Sequence, residues 1–143
     1  MPVHQVSVFI ENSEGSLAPF TKLLGENGID LIALSVADTT NFGILRAIVA
    51  DTGKAVEVIR DAGYAVSLTD VLAVAVPDKP GGLSGVLELL LENGINVEYL
   101  YSFVRSVGQN AVIIFRVENT VKAEAALAAG GVKLLTQEEV RNL

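Results

Sequence analysis

Apolar and polar positions change period repeatedly along the chain, and each change marks an element. Val6, Val8 and Ile10 alternate with Ser7 and Phe9 in a β-branched segment that predicts a strand, broken by the polar run Glu11-Asn12-Ser13-Glu14-Gly15. Leu17, Phe20 and Leu24 then recur at helical spacing. Asn27-Gly28 predicts the stop, because glycine is the usual residue for the left-handed turn just past a helix end. Leu31–Asp38 and Gly43–Ala50 predict two strands joined as a hairpin around Thr39-Thr40-Asn41-Phe42. A short helix follows from Gly53 to Ala62, stopped by Gly63, and Ala65–Leu68 predicts a short strand. The second half repeats the order: a strand over Leu72–Val76, a helix over Gly82–Asn93, a hairpin of Asn96–Arg105 with Ala111–Val117, a helix over Val121–Ala129 and a strand over Val132–Leu135. Only Thr69-Asp70 separates the halves, and Thr136–Leu143, with its acidic Gln137-Glu138-Glu139, predicts a short terminal helical turn.

The halves also match residue by residue. Positions 12–34 align without a gap on 78–100 with nine identities in twenty-three, centred on Leu23-Leu24-Gly25-Glu26-Asn27-Gly28-Ile29 against Leu89-Leu90-Leu91-Glu92-Asn93-Gly94-Ile95. The later parts align with Gly43–Val49 on Ala111–Val117, so the chain is an internal duplication. The order strand, helix, strand, strand, helix, strand is the split βαβ or ferredoxin-like unit, an α+β fold in which two helices cover one face of a four-stranded antiparallel sheet. This gives one βαββαβ module over residues 1–69 and a second over 70–143 with a short C-terminal tail. Modules of that size make thin cores. The second strand of the first copy is apolar on both faces, with Leu31, Ala33 and Ala37 against Ile32, Leu34 and Val36. Its own helices cover only one of those faces, so the copies are expected to share an interface.

Half of the 143 residues are apolar and 19% are charged, the balance of an ordered globular protein. Ten Lys and Arg against seventeen Asp and Glu leave a formal charge of -7 and no basic cluster, which argues against nucleic acid as a partner. With no cysteine there is no disulfide, thiolate metal site or cysteine nucleophile. No basic leader precedes an apolar stretch in Met1-Pro2-Val3-His4-Gln5, and runs such as Val71–Val76 are too short to cross a bilayer. The expectation is a cytoplasmic protein without a membrane partner.

Ferredoxin-like units serve as metal chaperones, RNA readers, small hydrolases and ligand sensors, so the residues have to decide. A chaperone of this shape needs paired cysteines, and there are none. An RNA reader needs aromatics on its sheet, and Tyr99, Tyr101 and Phe103 do alternate along one strand. The first copy has Ala33, Ser35 and Ala37 there, and packing against a partner module accounts better for the stripe. The single histidine, His4, lies near a terminus and reads as an exposed side chain. The carboxylate pairs Glu11/Glu14 and Glu138/Glu139 read as solvated, and neither first loop carries the arginine of a small phosphate hydrolase. No catalytic residue, metal or cofactor is expected.

What remains is the loop joining the first strand to the first helix, Asn12-Ser13-Glu14-Gly15-Ser16-Leu17 in one copy and Asp78-Lys79-Pro80-Gly81-Gly82-Leu83 in the other. A helix start offers unsatisfied backbone N–H groups and the positive end of its dipole, and small residues let a ligand approach. A carboxylate suits such a place, and the Asx side chain at the loop's start could hold an ammonium group, which together describe a site for a free amino acid. The same residues also suit plain turn work, since Asx residues start turns, proline stiffens them and glycine relieves crowding.

The Asp-x-Pro-Gly-x-Leu pattern at Asp78, Pro80, Gly81 and Leu83, followed by a leucine-rich helix ending in Glu92-Asn93-Gly94-Ile95-Asn96-Val97, resembles the ACT domain. The resemblance covers both copies and so nearly the whole chain. It implies a free-standing tandem ACT protein whose βαββαβ modules bind amino acids and regulate enzymes of amino-acid metabolism. The family's ligand lies between two modules, where the loop and helix start of one meet the second strand of the other. Carried over by position, that implies Asn12, Gly15, Ser16 and Leu17 in the first copy and Asp78, Gly81, Gly82 and Leu83 in the second. Ser35, Asp38, Tyr101 and Ser102 are the implied opposing strand residues. The first copy departs from the pattern at Asn12 and at Glu14, where proline is expected.

Two function classes are open at this point. One is a sensor of a free amino acid that regulates an enzyme held in trans, an arrangement compatible with a homodimer. The other is an interaction protein or regulatory subunit that keeps the fold without binding a ligand.

Overall fold

These periodicities become seven strands and five helices among the described residues of the structure, a computed structural model covering 3–11, 15–38, 42–108 and 110–143, with backbone only at 38 and 104–107. The order is β1 (Val3–Glu11), α1 (Leu17–Glu26), β2 (Leu31–Asp38), β3 (Phe42–Val49), α2 (Thr52–Asp61), β4 (Val66–Pro77), α3 (Gly82–Glu92), β5 (Val97–Val107), β6 (Asn110–Val117), α4 (Thr120–Ala129), β7 (Lys133–Leu135) and α5 (Gln137–Arg141). The chain divides into two compact units, His4–Thr69 and a second made of Met1–Val3 and Asp70–Leu143.

In the first unit the strands lie in the order β2-β3-β1, with the start of β4 beyond β1, where the Phe9 N–H donates to the Ala65 carbonyl over 3.1 Å. In the second the order is β5-β6-β4-β7, antiparallel at every ladder. Both are ferredoxin-like βαββαβ modules with their helices on one face of an antiparallel sheet.

Alternation decides which side chains meet the helices. In the second module Leu72, Val74 and Val76 of β4 and Phe115 and Val117 of β6 close against Val86, Leu90, Ala123 and Leu127 of α3 and α4. In the first, Val6, Val8 and Ile10 join Leu45 and Val49 beneath Phe20, Leu24, Ala55 and Ile59. Each such Leu, Ile or Phe stabilises the fold by roughly 2 kcal/mol. The helix-free face of the second sheet is apolar as well. Ala73, Val112, Ile114 and Leu135 are buried there, and Tyr101 and Phe103 are only 9% and 8% exposed. With so little ring surface free, neither aromatic is available to stack on a base.

Sequence periodicity placed two strands, Ala65–Leu68 and Leu72–Val76, on either side of Thr69-Asp70, but the structure has one strand of 12 residues, Val66–Pro77. No glycine or proline interrupts it before Pro77, and side chains hold the middle. Thr69 Oγ1 lies 3.4 Å from Ser7 Oγ, and Arg116 Nη1 donates to the Asp70 carbonyl over 2.8 Å while its Nε pairs with Glu98 at 3.0 Å.

The segment most alike in the two copies is a helix stop. Asn27 Nδ2 donates to the Leu23 carbonyl and Asn93 Nδ2 to the Leu89 carbonyl, both over 2.8 Å. Gly28 and Gly94 follow at φ +69 and +68, and the Ile29 and Ile95 N–H groups return to Leu24 and Leu90 over 2.9 Å. Helix termination thus explains the shared Asn-Gly, and burial in the two cores explains Ile29 and Ile95.

The start of α3 lies hard against the end of β4. A Cβ at Gly82 would overlap the Pro77 carbonyl oxygen, whereas one at Gly85, within the same helix, would meet nothing within 4 Å. Gly82→Ala is therefore expected to destabilise the protein by about 3 kcal/mol through overpacking. Gly85→Ala is expected to stabilise it by about 1 kcal/mol through helix propensity. Urea unfolding midpoints of the two variants check both signs.

The terminal helix α5 closes on a capping box. Thr136 Oγ1 accepts from the Glu139 N–H over 3.1 Å and Glu139 Oε1 accepts from the Thr136 N–H over 3.2 Å, with Lys133 Nζ 3.3 Å from the same carboxylate. The Thr136 backbone N–H first, and Lys133 second, hold the Glu139 carboxyl below its ordinary value. A lowered folded-state pKa favours the ionised form. Its contribution is present above the ordinary carboxylate range and is lost as pH falls through the lowered value. Amide-exchange protection at Val140 and Asn142, which donate to Thr136 and Glu138, is expected to fall on acidification. In Glu139→Gln that pH dependence should flatten.

Candidate functional site

The chain reverses between β4 and α3 by a few backbone bonds. The Lys79 N–H donates to the Pro77 carbonyl over 2.9 Å and the Gly82 N–H to the Lys79 carbonyl over 3.0 Å. Gly81 stands at the helix start with φ +86 and caps nothing with a side chain. The N–H groups of Leu83 and Ser84, in the first turn, therefore point out of the helix end.

Elsewhere the helix starts are closed. Asp51 Oδ1 accepts from the Lys54 N–H over 3.1 Å at α2, Asn119 Oδ1 from the Lys122 N–H over 3.0 Å at α4, and Thr136 caps α5. Among the described residues, only α1 and α3 lack a side-chain cap. These are the two helices that follow the candidate loops. A cap is worth about 1 kcal/mol, so an end without one keeps its donors and its positive dipole for something else.

Three hollows meet at Pro77. One, of about 440 Å³, is lined by Pro77, Asp78, Lys79 and Asn110. A smaller one of about 210 Å³ continues past Asn110 to Gly131, Val132 and Lys133. The third, also about 440 Å³, runs along α3 over Gly81, Gly82, Gly85 and Leu89 to Gly130. Asp78 and Lys79 are exposed, and among the described residues neither forms an ion pair. Asn110, half-buried, pairs in register with Pro77 and so brings a carboxamide to the loop. A fourth hollow of about 470 Å³ lies at the far end of α3, lined by Asn96, Glu118, Asn119, Thr120 and Lys122. Asn119 already caps α4 there, which leaves that helix end fewer open donors than α3 has.

The residues implied by the resemblance fall into separate groups. Asp78 and Gly81 flank the hollows. Gly82 is buried against Pro77, where packing demands glycine whatever binds nearby, and Leu83 is half-buried beside the core. In the first module Gly15, at φ +79, and Ser16 precede α1, and Leu17 is 42% exposed. Asn12 lies outside the described residues. Ser35 pairs with Arg46 on the edge strand β2, and Asp38 pairs with Gly43, its side chain outside the description. Tyr101 and Ser102 lie opposite Ile114 and Ile113 on β5, two strands from β4 within their module. The second module thus brings its own loop residues together but does not bring Tyr101 or Ser102 to them. Sequence reasoning missed Asn110, whose place beside the loop comes only from its register with Pro77.

Among the described residues no group of three His, Asp or Glu is placed to hold a metal ion. Among them, too, no helix is long and apolar enough to cross a membrane.

A family model described as an ACT domain pair matches residues 1–143. A Bacteroides thetaiotaomicron protein of known crystal structure is similar over 100% of this chain and 98% of its own, with a TM-score of 0.93 and 37% identity. The regulatory subunit of aspartate kinase from Thermus thermophilus, in its ligand-free form, aligns over 92% of both chains with a TM-score of 0.66 and 18% identity. That from Thermus flavus aligns over 90% of this chain and 91% of its own, at 0.62 and 19%. At such identity the likeness to the two subunits is one of fold. No curated protein matches the chain.

The left-handed backbone at Gly81 can be tested directly. Gly81→Ala is expected to destabilise the protein by about 1–2 kcal/mol, the cost of a Cβ in that conformation. Gly81→Asn should lose less, since asparagine tolerates positive φ. Thermal unfolding of both variants measures the difference.

Proposed function

The chain belongs to the family of ACT domain pairs, and on that basis we propose that it senses a free amino acid and regulates an enzyme of amino-acid metabolism in trans. The observation that carries the reading is the contrast in capping: α2, α4 and α5 are closed by side chains, while α1 and α3 are left open behind the repeated loops. At α3 the ligand's carboxylate is held by the N–H groups of Leu83 and Ser84 and by the helix dipole. Its ammonium group is held by Asp78, which stands at the head of the loop. The first module offers the same kind of helix start at Gly15, Ser16 and Leu17.

Charge-assisted hydrogen bonds of this sort contribute roughly 1.5–3 kcal/mol each, and association and ordering costs offset part of that. The expected affinity is on the order of micromolar to millimolar, the range of about -8 to -4 kcal/mol.

A second reading has an observation of its own. Phe9 and Phe42 of the first module are 52% and 54% exposed, a surface suited to a protein that binds another protein and no small ligand. Thermal shift with each of the twenty amino acids separates the two readings. At a hundredfold excess over its dissociation constant, a ligand of the folded state alone stabilises it by about 2.7 kcal/mol, and at least one amino acid is expected to raise Tm accordingly. A flat response to all twenty at millimolar concentration would favour the interaction protein.

A further inference from the structure

We propose that Asn93 is a modification site, at which the folded chain loses ammonia through a cyclic imide and ends as aspartate or isoaspartate, at a rate governed by the opening of the end of α3. Neither the strand-to-helix loop nor a ligand takes part, so the site is independent of the sensor reading.

Asn-Gly is the dipeptide most open to this reaction, because glycine has no side chain to shield its peptide nitrogen. It occurs at Asn27-Gly28 and Asn93-Gly94 and nowhere else in the chain. The Gly94 nitrogen attacks the side-chain carbonyl carbon of Asn93. A new N–C bond forms as the bond to Nδ2 breaks, and Nδ2 departs as ammonia with the proton of the glycine N–H. Water then opens the ring at either carbonyl. One opening leaves aspartate in an ordinary backbone, and the other carries the backbone through the side chain as isoaspartate. One water is consumed and one ammonia released, with no change of oxidation state.

The folded helix stop opposes each part of this attack. Closing the five-membered ring needs Cβ and the following nitrogen nearly eclipsed about the Cα–C bond. Asn27 and Asn93 both stand at ψ +10, where that nitrogen eclipses the residue's own nitrogen instead. The attacking N–H is bonded, from Gly28 to the Gly25 carbonyl over 3.1 Å and from Gly94 to the Leu91 carbonyl over 3.0 Å. The leaving amide is bonded as well, with Nδ2 donating to Leu23 in one module and to Leu89 in the other. Turning the peptide into reach breaks these bonds and pulls on Ile29 or Ile95, which are only 6% and 7% exposed. The reaction therefore waits for the helix end to open, a local event less costly than global unfolding. Asn93 is exposed and Asn27 half-buried, so water and hydroxide reach the second stop more readily and Asn93 reacts first.

The change runs one way. Aspartate has no N–H to give the Leu89 carbonyl, and its charge stands at the negative end of the α3 dipole. Isoaspartate adds a carbon to the backbone just ahead of Gly94 and so displaces the return of the Ile95 N–H to Leu90. A chain marked in this way opens more readily at the same place.

Peptide mass spectrometry of the full chain, held folded or in urea in mildly alkaline heavy-oxygen water, reads the conversion at each asparagine and separates it from any that occurs during digestion. Asn93 of the folded chain is expected to convert measurably, ahead of Asn27 and at least about tenfold more slowly than in urea. Asn93→Asp, which reproduces one product, should speed amide exchange at Ile95. Equal rates in the folded and urea samples, no conversion of folded Asn93 while the urea sample converts fully, or Asn27 ahead of Asn93 would each overturn the proposal. Unchanged exchange at Ile95 in Asn93→Asp would do the same. Should that variant fold poorly, the kinetics of the unaltered chain decide alone.

Discussion

Two helices can cover only one face of a four-stranded sheet, and the rest of each module follows from that limit. It requires strict alternation in β1 and β4, so that Val6, Val8 and Ile10, or Leu72, Val74 and Val76, meet the helices on one side. It also brings the helices close to each other and to the strand ends. A Cβ at Gly130, past the end of α4, would overlap the side chain of Leu89 on α3, and one at Gly82 would overlap the end of β4. Neither position tolerates a side chain without a shift of its neighbours. The start of α3 is therefore held against the end of β4, and the end of α4 against α3, before any ligand is considered.

The start of α3 combines that packing with the lack of a side-chain cap. A site on a fixed element spends less of its binding energy on ordering than a site on a mobile one. Within this frame similarity and chemistry part company. The most alike stretch of the two copies, Glu-Asn-Gly-Ile, ends a helix and seats Ile29 and Ile95 in the cores. The stretch at the other end of the same helix differs between copies, with Asp78 and Lys79 against Asn12 and Ser13, and in the second module Asp78 and Lys79 share a hollow with Asn110.

Duplication frees one copy from the demands on the other. The second module keeps a polar wall at the loop, with Asn110 beside Pro77, while the first presents Phe9 and Phe42, together with a half-exposed Leu34 and Val36 on its edge strand. Exposed apolar surface of that kind is a feature of surfaces that meet other molecules. One fold used twice thus supports two different surface chemistries, while its core exchanges residues at corresponding positions, Phe20 and Ala47 in the first module against Val86 and Phe115 in the second.

The sequence by itself determined the duplication, the order of elements, the helix stops and the resemblance carried by Asp78, Pro80, Gly81 and Leu83. These are written in signals that span a few residues, such as the alternation of Val6, Val8 and Ile10 or the Asn-Gly after α1 and α3. Tertiary structure alone decided the rest. Ser16 has the composition of a helix cap, yet its backbone is already helical, at φ -74 and ψ -28, and it makes no cap bond. Thr69-Asp70 has the composition of a break, yet Arg116, forty-six residues away, holds it in a strand. Gly82 suggests room for a ligand, yet its missing side chain makes room for Pro77. Asn110 reaches the loop only through a ladder register. Each of these depends on a partner that folding brings close, and no local pattern encodes a partner's distance.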